Sequence, residues 1–140
     1  MSSTHAKKCK KILIIDDNLF ILNLVKNILR SPNSIISTSL TGEEGYELAC
    51  IQHPDIILLD RRLGDISGAK ILKRIKSNPE LRDIPVAMIS SDDNDTDILQ
   101  SLGMGAADYI VKPFNAQTVI SKVKRLIQNK SSKQTDYYYV

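Results

Sequence analysis

Residues 54 to 60 read Pro-Asp-Ile-Ile-Leu-Leu-Asp, and this segment gives the clearest structural signal in the chain. Its four consecutive apolar residues are too few for a helix and are typical of a strand that is buried on both faces. Strands of this kind occur in parallel sheets covered by helices. The segment therefore predicts a central parallel strand that begins after Pro54 and ends in a carboxylate, Asp60.

Four similar segments flank this one, and each is predicted to form a strand. They cover residues 11–16, 35–40, 85–89 and 108–111. The segment at 35–40 is diluted with serine and threonine, which is typical of an edge strand. Apolar residues with helical spacing follow the strands, as in the stripe Phe20, Ile21, Leu24, Val25, Ile28 and Leu29. Five strands alternating with five helices predict an α/β domain with a parallel sheet covered on both faces.

Length and composition limit the class of protein further. The 140 residues suit one domain, the apolar runs are too short to span a membrane, and two cysteines do not form a disulfide framework. These features predict a soluble cytoplasmic domain without a membrane segment.

Charge is divided unequally along the chain. Both ends are basic and together carry +8, whereas residues 12–121 carry −5. An acidic middle lacks the clustered positive charge that phosphate backbones require, so the pattern does not favour nucleic-acid binding. We predict a basic N-terminal arm at residues 1–9, a domain at 10–129 and a tail at 130–140. The tyrosines at Tyr137–Tyr139 belong to that tail, as a docking peptide or a frayed terminus.

Chemically useful side chains follow four of the predicted strands. They are Asp16 and Asp17 after the first strand, Asp60 after the third, Ser90 after the fourth and Lys112 after the fifth. Each has an ordinary structural explanation on its own. In parallel sheets, however, functional sites lie beyond the carboxyl ends of the strands, where these groups would converge.

The combination of these groups points to phosphoryl chemistry. Three close carboxylates repel one another unless a cation neutralises them, and Mg²⁺ suits oxygen ligands. A lysine and a hydroxyl can then hold phosphoryl oxygens, and a free carboxylate can act as the nucleophile. The expected covalent product is an aspartyl phosphate.

With these residues the sequence resembles the receiver domains of two-component response regulators, over roughly residues 10–129. The spacings fit as well, with 30 residues from Asp60 to Ser90 and 22 from Ser90 to Lys112. The resemblance implies a flavodoxin-like, doubly wound sheet of five parallel strands in the order 2-1-3-4-5. It also implies a stand-alone phosphorylation switch that is not a turnover enzyme, although it assists its own phosphorylation and dephosphorylation.

The resemblance implies roles for the acids. Asp60 would accept a phosphoryl group from a phosphohistidine on a sensor histidine kinase or a histidine phosphotransfer protein. Asp17 and Asp60 would ligate Mg²⁺, or Mn²⁺ in its place, together with the backbone carbonyl of Arg62. Asp16 would act on the ion mainly through water.

The resemblance also implies how the signal leaves the site. Lys112 and Ser90 would hold the phosphoryl oxygens, and Tyr109 would be the switch aromatic that turns inward when Ser90 moves. The output face would run from about residue 96 to residue 129, the fourth helix to the fifth. It would contact a downstream protein, with a homodimer as a further possibility and no DNA-binding domain.

Three positions depart from, or add to, the common family pattern. Gly64 stands where many relatives have proline, which predicts a more flexible loop after Asp60. Arg62 and Asp92 flank the expected path of water to the aspartyl phosphate. They are either solvated surface charges or a pair that slows hydrolysis and lengthens the signal.

Three other functions remain as alternatives. A pseudo-receiver that acts by dimerising or scaffolding would not need the intact acids and lysine. An aspartate-based phosphohydrolase needs a second acid two residues after its nucleophile, where this chain has Arg62. A flavodoxin-like cofactor binder would not place Asp16 and Asp17 beside a phosphate.

Overall fold

The computed structural model describes residues 9–139, with side chains described for residues 9–129. The five strands are β1 (Lys10–Ile15), β2 (Ser34–Ser39), β3 (Ile56–Asp60), β4 (Val86–Ser90) and β5 (Asp108–Val111). The five helices are α1 (Leu19–Leu29), α2 (Gly42–Gln52), α3 (Gly68–Ser77), α4 (Asp95–Gly103) and α5 (Ala116–Tyr139). Within residues 9–139, none of the helices combines the length and the apolar character that crossing a membrane requires.

All strand pairs are parallel, and the strand order is β2-β1-β3-β4-β5. The predicted fold class and strand order are therefore confirmed. The serine-diluted strand β2 lies at the edge of the sheet, as its composition predicts. Every residue of β3 and of β4 is buried, which accounts for their unbroken apolar runs.

Two apolar layers cover the sheet because successive strand residues point to opposite faces. On one face, Leu13, Ile15, Ile57 and Leu59 pack with the α3 residues Ile71, Leu72 and Ile75. On the other face, Ile12, Ile14, Ile56 and Leu58 pack with Leu22 and Val25 of α1 and with Val119 and Val123 of α5. Full burial of one such side chain contributes about 1.5–3 kcal/mol, so these layers stabilise the sheet that carries the strand ends.

Side-chain caps fix where all five helices begin. The capping residues are Asn18, Thr41, Ser67, Asn94 and Asn115, and each accepts a hydrogen bond from the backbone N–H three residues further on. Because Asn18 caps α1, the neighbouring Asp17 carboxylate is available for another role.

The predicted apolar stripe of α1 is wrong in part. Phe20 is 72% exposed, whereas Leu22, which the stripe omitted, is buried together with Val25. Because α1 reads LFILNLVKNIL and is apolar on nearly every side, periodicity alone does not decide which face turns inward.

The predicted N-terminal arm and C-terminal tail differ in how much of each the structure describes. Residues 1–8 of the predicted basic arm lie outside the described residues. The backbone of α5 continues as a helix through residues 130–139, so the predicted tail is helical up to Tyr139. A separate role for that segment stays a prediction.

Candidate functional site

Sheet register brings the functional residues to one edge. Ile15 of β1 lies opposite Leu59 of β3, so Asp16 and Asp60 are next to each other where the two strands end. Ser90 of β4 lies opposite Val111 of β5, and the backbone N–H of Lys112 donates to the Ser90 carbonyl at 2.8 Å. The four strand ends therefore meet, as the sequence predicts for a parallel sheet.

Three carboxylates form the centre of the site. Each of Asp16, Asp17 and Asp60 offers an oxygen, and these oxygens all lie within 4.8 Å of one another. Asp16 and Asp60 are buried, and Asp17 is exposed at the opening. Asp16 is held in place because its Oδ1 accepts the backbone N–H of Asn18 at 2.9 Å.

Lys112 supplies a positive charge next to two of these acids, Asp16 and Asp60. Its Nζ lies 3.0 Å from Asp16 Oδ2 and 3.7 Å from Asp60 Oδ2. One ammonium group contacts two carboxylates, so the acids outnumber the bases at this edge. A lysine in this position is a compact charge that can also contact phosphoryl oxygens.

Burial and the excess of negative charge both raise the pKa of Asp60. Burial, and then the neighbouring Asp16 carboxylate, raise the pKa of Asp60 to about 7, against the opposing effect of Lys112 and the backbone N–H of Arg62. That N–H donates to Asp60 Oδ1 at 3.2 Å. A divalent cation at the carboxylate oxygens would favour the ionised form of Asp60. The oxygen donors and their closeness therefore fit a hard cation such as Mg²⁺.

The hydroxyl of Ser90 is engaged by Asp92. Ser90 Oγ donates to Asp92 Oδ2 at 3.1 Å and accepts the backbone N–H of Asp92 at 3.0 Å. Ser90 is itself buried at the end of β4. The Ser90 hydroxyl, which is predicted to hold a phosphoryl oxygen, thus lies at the same sheet edge as the acids. In this structure it is hydrogen-bonded to Asp92 of the loop that follows β4.

Arg62 and Asp92 form a bidentate ion pair across the opening. Arg62 Nε donates to Asp92 Oδ2 at 2.8 Å, and Arg62 Nη2 donates to Asp92 Oδ1 at 2.9 Å. Hydrogen bonds from Arg62, helped by those from Arg61 and Ser90, lower the pKa of Asp92 to about 2. The pairing that the sequence left open is present, and its effect on hydrolysis stays a prediction.

Tyr109 already lies inward in this structure. It is 6% exposed, and its hydroxyl donates to the backbone carbonyl of Asp92 at 2.8 Å. The resemblance implies an inward turn on activation, but the buried ring leaves little further inward movement. A role in switching therefore depends on how the Asp92 segment rearranges.

Three more residues shape this edge, and two of them, Arg61 and Asp65, were not predicted from the sequence. Arg61 contacts Asp92 beside Arg62. Asp65 accepts the first backbone N–H groups of α2 through both carboxylate oxygens, which anchors the loop after Asp60. At Gly68 an added Cβ would lie 2.1 Å from the backbone oxygen of Asp60. Of the three, Gly68 alone is marked in the sequence, because the resemblance to receiver domains implies a glycine at this position after Asp60.

The fold and the acid edge define a class of protein, and the comparison with protein families agrees. The family model for the response regulator receiver domain matches residues 12–124. The chain therefore belongs to this family, which serves two-component signalling as a phosphoacceptor rather than as a turnover enzyme.

Two curated relatives match this chain over most of its length. The nisin biosynthesis regulatory protein NisR of Lactococcus lactis subsp. lactis is 36% identical over 118 residues, which cover 84% of this chain and 50% of that protein. The alkaline phosphatase synthesis transcriptional regulatory protein PhoP of Bacillus subtilis (strain 168) is 33% identical over 120 residues, which cover 85% of this chain and 49% of that protein. The chain thus spans about half the length of the curated relatives it matches.

Among solved structures, a CheY-like response regulator receiver domain protein from Methanospirillum hungatei JF-1 has a TM-score of 0.82 at 26% identity. The alignment covers 89% of this chain and 98% of that chain. The match therefore extends over nearly all of that receiver domain.

Proposed function

We propose that this chain is a phosphorylation switch that accepts a phosphoryl group on Asp60 from a phosphohistidine of a sensor kinase or phosphotransfer protein. The observation that carries the proposal is the meeting of Asp16, Asp17 and Asp60 with Lys112 at one edge. A pseudo-receiver would not require this charge arrangement, and the cost of a buried, ionised Asp60 argues for a reactive role. A cytoplasmic location stays a prediction.

The chain's own residues supply most of the transfer chemistry. A carboxylate oxygen of Asp60 forms a bond to phosphorus as the bond from phosphorus to the imidazole nitrogen breaks, and the leaving imidazole takes up a proton. Lys112 compensates the negative charge of the transferred group, and Ser90 donates its hydroxyl to a phosphoryl oxygen. Asp17, Asp60 and the backbone carbonyl of Arg62 would hold Mg²⁺, or Mn²⁺, with Asp16 acting through water. The cation would neutralise the oxygens around the phosphoryl group.

Intact-mass measurement tests the proposal directly. The protein is incubated with Mg²⁺ and acetyl phosphate, and a gain of about 80 Da is expected for one phosphoryl group. Asp60→Ala should abolish the gain, whereas Asp83→Ala, which changes an exposed acid on another loop, should keep it. A wild-type protein without any gain would instead support the pseudo-receiver.

We further propose that the Arg62–Asp92 pair lengthens the life of the aspartyl phosphate by restricting water at the opening. Because Arg62 is 73% exposed on its side chain, the pair itself adds little stability, and its effect is on access. Arg62→Asn should speed dephosphorylation by up to about fivefold, a barrier change below about 1 kcal/mol. Arg82→Asn, which removes another exposed arginine, is the control, and equal decay in all three proteins would contradict the proposal.

The proposed output surface is formed by α4, β5 and α5. Leu99 and Leu102 of α4 are exposed at 67% and 39%, which leaves apolar area for a protein partner. We propose that a downstream protein, or a second copy of the chain, binds there after phosphorylation.

A further inference from the structure

Arg61 makes contacts that the proposed phosphoryl chemistry does not use. Its guanidinium donates to Asp92 Oδ2 at 3.0 Å and to Gln100 Oε1 at 3.2 Å, and it lies 3.1 Å from Asp97 Oδ1. The side chain is 17% exposed. Its Nε is buried and has no hydrogen-bond partner among the side chains that the structure describes. A planar guanidinium that is mostly buried and shared by three acceptors is held in a defined position.

Two of these three acceptors belong to α4. Asp97 and Gln100 are three residues apart and therefore lie on the same face of the helix. Arg61 directly follows Asp60, the last residue of β3. One side chain thus connects the end of the phosphoacceptor strand to the first two turns of α4.

Apolar packing of α4 is weak, which makes this polar connection more important. Of its nine residues only Ser101 is buried, and Ile98 is a partly buried contact of the core. The helix α3, by comparison, buries Ile71, Leu72 and Ile75 as well as its first residue, Gly68. A helix with so little buried apolar area depends more on its polar anchors.

The same guanidinium reaches the switch residues through Asp92. Asp92 accepts from Arg61 and from the Ser90 hydroxyl on the same oxygen, Oδ2, and its backbone carbonyl accepts the Tyr109 hydroxyl. Asp92 is therefore shared between the anchor of α4 and the hydroxyl expected to bind a phosphoryl oxygen. A change in the Ser90 bond alters the charge and geometry of an acceptor that Arg61 also uses.

We infer that Arg61 is a positioning residue that anchors α4 to the end of β3, and that phosphorylation of Asp60 loosens this anchor through Ser90 and Asp92. The anchoring stands on the contacts of the unphosphorylated protein alone. The loosening rests on the proposed function. Both halves concern the position of α4 and not the transfer of the phosphoryl group.

Hydrogen exchange of the unphosphorylated full chain tests the anchoring. Arg61→Met should raise the exchange rate of the α4 amides by about tenfold, because charge-assisted bonds to the helix are lost, and should leave α1 and α2 unchanged. Arg62→Met is a matched control. It removes the neighbouring guanidinium, which shares Asp92 with Arg61 but contacts neither of the α4 acceptors, so α4 exchange should rise much less than in Arg61→Met.

A second variant approaches the anchor from the helix. Gln100→Ala keeps a good helix former and should raise α4 exchange in the same direction, with less than additive effect when combined with Arg61→Met. Continued protection of the β1 and β3 amides shows that each variant is folded. Wild-type α4 exchange in Arg61→Met, or equal acceleration by Arg62→Met, overturns the anchoring.

Acetyl phosphate with Mg²⁺ then tests the loosening, with intact mass measured on the same samples. Phosphorylation should accelerate α4 exchange in the wild type and add little in Arg61→Met, where the anchor is already absent. A mass gain without any change of α4 exchange in the wild type overturns the loosening and leaves the proposed function intact. Absence of a mass gain overturns the proposed function and the loosening with it, while the anchoring is judged on the unphosphorylated samples.

Discussion

Gly68 offers the most direct test of how tightly Asp60, the proposed phosphoacceptor, is built into the fold. An alanine Cβ at this position would lie 2.1 Å from the Asp60 carbonyl oxygen and 2.8 Å from the Cα of Arg61. Both neighbours are backbone atoms of the chain leaving β3, and the backbone N–H of Gly68 also donates to the Arg61 carbonyl at 2.9 Å. Neither side can move without shifting the backbone of Asp60.

The expected cost of Gly68→Ala follows from these contacts. Extra methylenes in a packed site typically cost about 1–3 kcal/mol, and a contact this short between backbone atoms belongs at or above the upper end. Urea unfolding should therefore show a loss of at least about 3 kcal/mol or a chain that does not fold.

Gly103→Ala is the matched control, because the same change at the end of α4 meets nothing within 4 Å. It should be neutral or stabilise the protein by up to about 1 kcal/mol, since alanine favours the helix. A loss below about 1 kcal/mol for Gly68→Ala would refute the reasoning that the Asp60 backbone is fixed by close contact.

Two further predictions concern charge. Mg²⁺ should raise the melting temperature of the wild type, and at a Mg²⁺ concentration one hundred times the dissociation constant the added stability is about 2.7 kcal/mol. The rise should be much smaller in Asp17→Asn. Equal rises in both proteins would place the cation elsewhere. The backbone N–H groups of Gly42 and Glu43 hold the pKa of Asp65 below its usual range, so this carboxylate stabilises the fold above its ordinary pKa of 3.8 and loses that contribution as the pH falls below it. The stability difference between the wild type and Asp65→Asn should accordingly be largest near pH 7 and shrink below about pH 4, and a difference that is constant across this range would contradict the role of Asp65.

The sequence allowed the sheet to be predicted because its strands are short, apolar and buried on both faces. A run such as Ile56–Asp60 has one plausible structure, and its position in a parallel sheet also places the terminal carboxylate. The inward face of α1 was harder to predict, since its apolar residues surround the helix. Contact with the sheet, which involves residues far apart in sequence, decides that Leu22 is buried and Phe20 is exposed.

The same distinction applies to the site. Asp16, Asp60, Ser90 and Lys112 could be predicted because each is the last residue of a strand or directly follows one, where the topology fixes its position. The contacts of Arg61 could not, because they depend on where a long side chain reaches among the residues of another loop and helix. Nothing in the local sequence separates a guanidinium that joins β3 to α4 from one that faces solvent, such as that of its neighbour Arg62.

The arrangement of charges supports the proposal that this site reports its own phosphorylation. Among the side chains that the structure describes, Lys112 is the one cation paired with Asp16 and Asp60, and burial raises the pKa of the Asp60 carboxyl to about 7, so the negative charge at this edge is only partly compensated. A phosphoryl group and a cation together change both the charge and the set of hydrogen-bond acceptors there. The neighbouring contacts of Ser90 and Asp92 are polar and share acceptor atoms, so they respond to such a change, whereas the close-packed apolar layers beneath the site do not. The signal is therefore expected to travel along the loops at the carboxyl edge while the sheet stays fixed.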